Sequence, residues 1–131
     1  MLVGGNLSKI EESLNEEYAL QDRDKVLFLE DVEETPESIN DLLRALKEEK
    51  KFKNIKGILF GRMLNCYEKE KDIISLIKKW FKDEGYPVLF GFPSGHTESF
   101  EQIHYTLPLG VNIEINGTEG YIKFLENAVI I

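Results

Sequence analysis

Three uninterrupted apolar runs, Val26-Leu-Phe-Leu29, Gly57-Ile-Leu-Phe-Gly61 and Val88-Leu-Phe-Gly91, constrain this chain more than any other feature of its sequence. A strand that is apolar on both faces belongs inside a layered fold, with something packed above and below its sheet. The intervening segments supply one such layer. Leu7, Ile10 and Leu14 repeat at helical spacing behind Asn6, a good N-cap, and Ser8 and Glu11 are spaced as an alternative capping box. Thr35-Pro36-Glu37 places a capping residue ahead of a proline in the first helical turn, and Ile39, Leu42, Leu43 and Leu46 then mark one apolar face. Ile73, Ile74, Ile77, Trp80 and Phe81 form a third stripe, stopped by Gly85 and Pro87. This alternation predicts parallel βα units.

After residue 105 the pattern changes. Val111, Ile113 and Ile115, then Asn116-Gly117, then Tyr121, Ile122 and Phe124 alternate with period two around a strong hairpin signal. The chain is expected to close with antiparallel strands, the last at Ala128–Ile131. Residues 1–131 therefore read as a single α/β domain with βα units and a C-terminal antiparallel hairpin, and 131 residues suit one core.

Charge narrows the function. The formal net charge of −8 opposes phosphate backbones and anionic membrane surfaces, so neither nucleic acid nor membrane is expected as a partner. Residues 10–41 carry twelve acids and two bases, whereas residues 42–82 carry five acids and twelve bases. The cluster Lys47, Lys50, Lys51, Lys53 and Lys56 reads either as the solvated end of a helix, where cations suit the macrodipole, or as one electropositive face. Cys66, as the only cysteine, excludes an intramolecular disulfide, and with His96 and His104 it does not make a structural zinc cluster. No run approaches the ~18 apolar residues of a membrane span, and the start lacks a leader-like pattern. The expected setting is cytoplasmic, with no cofactor or metal.

Chemistry is expected at two places. Gly91-Phe-Pro-Ser-Gly-His-Thr97 follows a buried strand, where open α/β sheets carry ligand-binding loops. It is not a phosphate cradle, because three residues separate its glycines and His96 stands where a Walker loop has lysine. His96 is placed either for proton transfer or simply to bond the backbone. Glu30-Asp31 ends the first apolar run, where a carboxylate can accept the Nδ1 hydrogen of a histidine, or can belong to a solvated acidic loop. A nucleophile is lacking. There is no Gly-x-Ser-x-Gly elbow, Ser94 is only two residues from His96, nothing visible activates Cys66, and His104 reads as packed or exposed.

Five ordered motifs carry a resemblance: Gly4-Gly5-Asn6-Leu7-Ser8, Leu27-Phe-Leu-Glu30, Gly57–Gly61 leading to Cys66, Gly91-x-Pro-x-Gly-His96-Thr97, and Leu107-Pro-Leu-Gly110. Together they resemble the C-terminal domain of the LD-carboxypeptidase family, which includes muramoyl-tetrapeptide carboxypeptidases and microcin-immunity serine peptidases. The resemblance implies a swivelling β/β/α-like unit with a curved sheet. It also implies a serine peptidase whose triad is divided between domains, with Glu30 and His96 supplied here and the serine and oxyanion hole on an absent N-terminal domain. Expected partners are that domain and a peptide-like small substrate, with a homodimer open. The substrate is then a murein tetrapeptide or a peptidyl-nucleotide antibiotic, and this half alone is inactive. The competing expectation is a small acidic binding module, whose Gly91–Thr97 loop holds an anion or partner without chemistry. Because side chains alternate along a strand, Glu30 and Asp31 should face opposite ways, Glu30 toward His96 Nδ1 and Asp31 toward solvent or a loop cap.

Overall fold

The computed structural model describes residues 1–99 and 101–129. Its order is β1 (Leu2–Asn6), α1 (Leu7–Glu12), β2 (Val26–Val32), α2 (Pro36–Glu48), β3 (Gly57–Leu64), α3 (Glu70–Phe81), β4 (Val88–Leu89), β5 (Ile113–Asn116) and β6 (Tyr121–Phe124). Strands β1 to β4 form one parallel sheet in sequence order, and β5–β6 form a separate antiparallel hairpin.

Sequential parallel strands with crossovers of one hand put every connecting helix on the same face of the sheet. The core reflects this. Leu27, Leu29, Ile58 and Phe60 point toward Leu7, Ile39, Leu43, Leu46, Ile73 and Phe81 of the helices. Their strand neighbours Val26, Phe28 and Leu59 join Leu2 on the other face, against Leu107, Ile113, Ile115 and Ile122. Two apolar faces thus meet a helical layer and a hairpin layer, as the continuous runs require. Among the described residues, no helix is long and apolar enough to cross a membrane.

Several boundaries differ from expectation. The strand β1 is additional: its five residues include Gly4 and Gly5, which carry no strand signal. Gly4 is needed there, since a Cβ would lie 1.9 Å from the carbonyl oxygen of Phe28 on the paired strand. Helix α1 stops at Glu12, with Asn6 accepting from the Lys9 amide; Ser8 is not the cap but bonds elsewhere. Thr35 caps α2 as expected. The third apolar run is strand only at Val88–Leu89, although Phe92 N–H donates to the Phe60 carbonyl at 3.1 Å and Arg62 N–H to that of Ser94 at 2.9 Å. The hairpin turns through four residues, because the Asn116 side chain accepts from the amides of Thr118 and Glu119 and forms an Asx turn. Ala128 and Val129 are not in a strand, and Ile130 and Ile131 lie outside the described residues. Two of the lysines after α2 turn back to the acidic segment, Lys51 pairing with Asp22 at 3.5 Å and Lys56 with Asp24 at 3.3 Å.

Candidate active site

Glu30 is the fifth residue of β2, opposite Asn6 of β1, and it points away from the helices on the face that carries Phe28. Just beyond it the β2–β3 register shifts, so that Leu29 faces Phe60 but Asp31 faces Met63. The irregularity sits beside the site, a common place for a strand to re-aim its side chains.

The loop after β4 brings His96 to that carboxylate. His96 Nδ1 lies 2.8 Å from Glu30 Oε2, and the His96 backbone N–H donates to the same oxygen at 3.2 Å. With Nδ1 protonated, the ring donates to Glu30 and leaves Nε2 as the free acceptor. Burial is unequal: the Glu30 side chain is 7% exposed, that of His96 51%. Gly95 makes the approach possible. Its φ is +112°, and a Cβ would stand 2.8 Å from Glu30 Oε2 and 3.0 Å from Glu30 Cβ. Two further bonds hold the loop, from Ser94 N–H to the Phe92 carbonyl and from Tyr105 N–H to the Pro93 carbonyl, both at 2.8 Å.

Asp31, expected toward solvent or as a loop cap, takes neither place but caps a helix. It does not turn to solvent but is buried at 2% exposure, on the opposite side of the strand. There it accepts from Asn6 Nδ2 at 2.9 Å, the Ser8 amide at 2.9 Å, Ser8 Oγ at 2.6 Å and the Val32 amide at 2.9 Å. The Ser8 amide is one of the unpaired donors of the first turn of α1, so Asp31 caps that helix in space from another strand. Nothing in the sequence separates such an acid from the solvated acids around it.

The other polar candidates fall into different places. Cys66 is buried and its Sγ reaches the Leu64 carbonyl at 3.4 Å; burial pushes its thiol up to about 11, which leaves it un-ionised and unreactive at neutral pH. Ser94 is buried as well. His104, by contrast, lines a cavity of about 220 Å³ together with Glu30, Gly5 and Ser94. Among the described residues, no group of three His, Cys, Asp or Glu side chains is placed to hold a metal ion.

The pair of buried carboxylate and half-exposed imidazole can orient one histidine tautomer and stabilise its protonated form, which are two of the three parts of a nucleophile triad. The model of the LD-carboxypeptidase C-terminal domain matches residues 1–115. A probable murein peptide carboxypeptidase of Bacillus subtilis is 32% identical over 122 residues, covering 90% of this chain and 37% of that protein. A microcin self-immunity protein of Escherichia coli is 26% identical over 128 residues, 36% of its length. Among solved structures, that of MccF with glutamyl sulfamoyl guanosine superposes with a TM-score of 0.82 at 25% identity, over 98% of this chain and 38% of that one. The chain thus spans little more than a third of the relatives it matches.

Proposed function

Because the chain belongs to the family of LD-carboxypeptidase C-terminal domains, we propose that residues 1–131 are the glutamate- and histidine-bearing part of a serine peptidase. The observation that carries this reading is the 2.8 Å contact between His96 Nδ1 and a buried Glu30, made by an imidazole that is half open to solvent. In the proposed reaction a serine hydroxyl from an N-terminal domain gives its proton to His96 Nε2 as its oxygen attacks the scissile carbonyl. The imidazolium, held by Glu30, passes that proton to the leaving amine, and water then releases the acyl group by the same route. The oxyanion donors come from the same partner domain. The substrate is a peptide-like amide, either an L,D-bond of murein or an aminoacyl nucleotide. A relative named for a murein peptide, and a neighbour bound to glutamyl sulfamoyl guanosine, support these two classes. The single buried cysteine suits a cytoplasmic setting.

The test is complementation. The 131-residue chain alone is expected to hydrolyse neither an L,D-peptide nor a simple ester above the buffer rate. Addition of a nucleophile-bearing N-terminal domain should restore turnover, and Glu30→Gln should then lower kcat by about 100-fold or more through loss of the tautomer-fixing acceptor. Turnover by the isolated chain that His96→Ala abolishes, or restored turnover indifferent to Glu30→Gln, overturns the reading.

A further inference from the structure

A second and larger cleft lies beside the histidine loop. It has a volume of about 380 Å³, opens at the carboxyl ends of β3 and β4, and is lined by Arg62, Tyr67, Glu70, Phe90, Pro93 and Glu98 among others. This is the edge of a parallel sheet at which ligands bind, and the size suits a small molecule. It is tied to the candidate active site through the backbone, since Arg62 N–H donates to the carbonyl of Ser94, two residues before His96.

Its charges are unusual. Among the described residues, Arg62, Glu70 and Glu98 form no ion pair within 4.0 Å, with one another or with any other side chain. Arg62 makes one side-chain hydrogen bond there, from one terminal nitrogen to the Ile103 carbonyl, and its Nε is buried without a partner. Of its five N–H groups, the one on Nε is sealed off, and only the terminal nitrogens can meet a guest. The residues lining the cleft include two acids and one arginine, so a guest with only one kind of charge has a like-charged residue among its neighbours. A guest with both charges on neighbouring atoms satisfies both, while Tyr67, Phe90 and Pro93 give an apolar wall for the chain that carries them.

We propose that this cleft is a subsite for a zwitterionic α-amino-acid head group, with Arg62 binding its carboxylate and Glu70 and Glu98 its ammonium. The proposal rests on the reading that the protein acts on peptide-like substrates, and it adds the part of the substrate lying beside the scissile bond. A planar guanidinium suits a carboxylate better than an ammonium would, because it can donate two parallel hydrogen bonds.

The experiment uses the 131-residue chain and three probes matched in length: norleucine, which carries both charges, hexanoate, which carries only the carboxylate, and pentylamine, which carries only the ammonium. Backbone amide shifts of Asn65, Glu70, Gly91 and Glu98 should move saturably with norleucine, and each singly charged probe should bind roughly fivefold or more weakly. Arg62→Gln should remove the advantage of norleucine over pentylamine. Glu70→Gln with Glu98→Gln should remove its advantage over hexanoate, which keeps the test available if Arg62→Gln unfolds. Equal binding of the three probes, shifts confined to other regions, or an advantage that survives both variants overturns the proposal. No nucleophile domain takes part, so this titration stands or falls separately from the complementation of Glu30 and His96.

Discussion

Two consecutive acids, Glu30 and Asp31, have opposite fates because successive side chains leave a strand on opposite faces. Glu30 meets an imidazole; Asp31 meets only donors, from Asn6, Ser8 and Val32. Asp31→Asn sets an NH₂ against one of those donors, and the expected cost is about 1–3 kcal/mol of stability, read as a lower urea midpoint. In the complemented enzyme the same substitution should reduce kcat far less than Glu30→Gln. The opposite facing was legible in the sequence, from strand alternation alone. The burial of Asp31 was not, since it depends on a β1–α1 junction that no local pattern announces. Gly95 was equally silent: its place is set by a carboxylate distant in sequence.

Among the elements, the helices were legible because each carries an apolar stripe and two begin at a recognisable cap, Asn6 or Thr35. Strand β1 was not legible because its register is fixed by contacts from elsewhere. Leu2 N–H donates to the Val111 carbonyl at 2.8 Å, and the Gly110 N–H returns a bond to the Leu2 carbonyl at 2.8 Å. Leu2 is fully buried on the hairpin side. Its truncation, Leu2→Ala, is expected to cost about 2–5 kcal/mol, measured by denaturant unfolding, as for other core leucines. The shortness of β4 has a local cause, since Gly91 turns the chain into the left-handed region at φ +86° and releases the backbone for the histidine loop. The Asn116 turn shows the limit of a two-residue hairpin signal: the dipeptide marked the place, and the asparagine side chain chose a longer loop.

At the scale of the molecule, exposed apolar side chains flank the histidine loop. Ile103, Tyr105 and Leu109 are 66%, 55% and 49% exposed. If the proposed N-terminal domain docks there, it should bury an area of the order of 600–1,500 Å², the usual range between domains of one chain. Ile103→Glu should then weaken the complementing pair by about tenfold in Kd, measured by calorimetry, since placing a charge in such a contact costs on the order of 1.4 kcal/mol. The melting temperature of the chain alone should stay unchanged, because the residue is exposed.

The unequal burial of the Glu30–His96 pair has an entropic consequence. Freezing a glutamate rotamer costs up to about 1.5–2 kcal/mol, and that loss falls on the folding of this domain because the carboxylate is already buried. His96 is tied to the same carboxylate oxygen twice, by its ring Nδ1 and by its backbone N–H. In the proposed two-domain enzyme, a docking partner would meet an imidazole whose direction is set beforehand. Affinity between the halves need not be spent on ordering the pair, so it depends on the surrounding surface, and a substitution that loosened His96 should appear first as weaker cooperation between the halves.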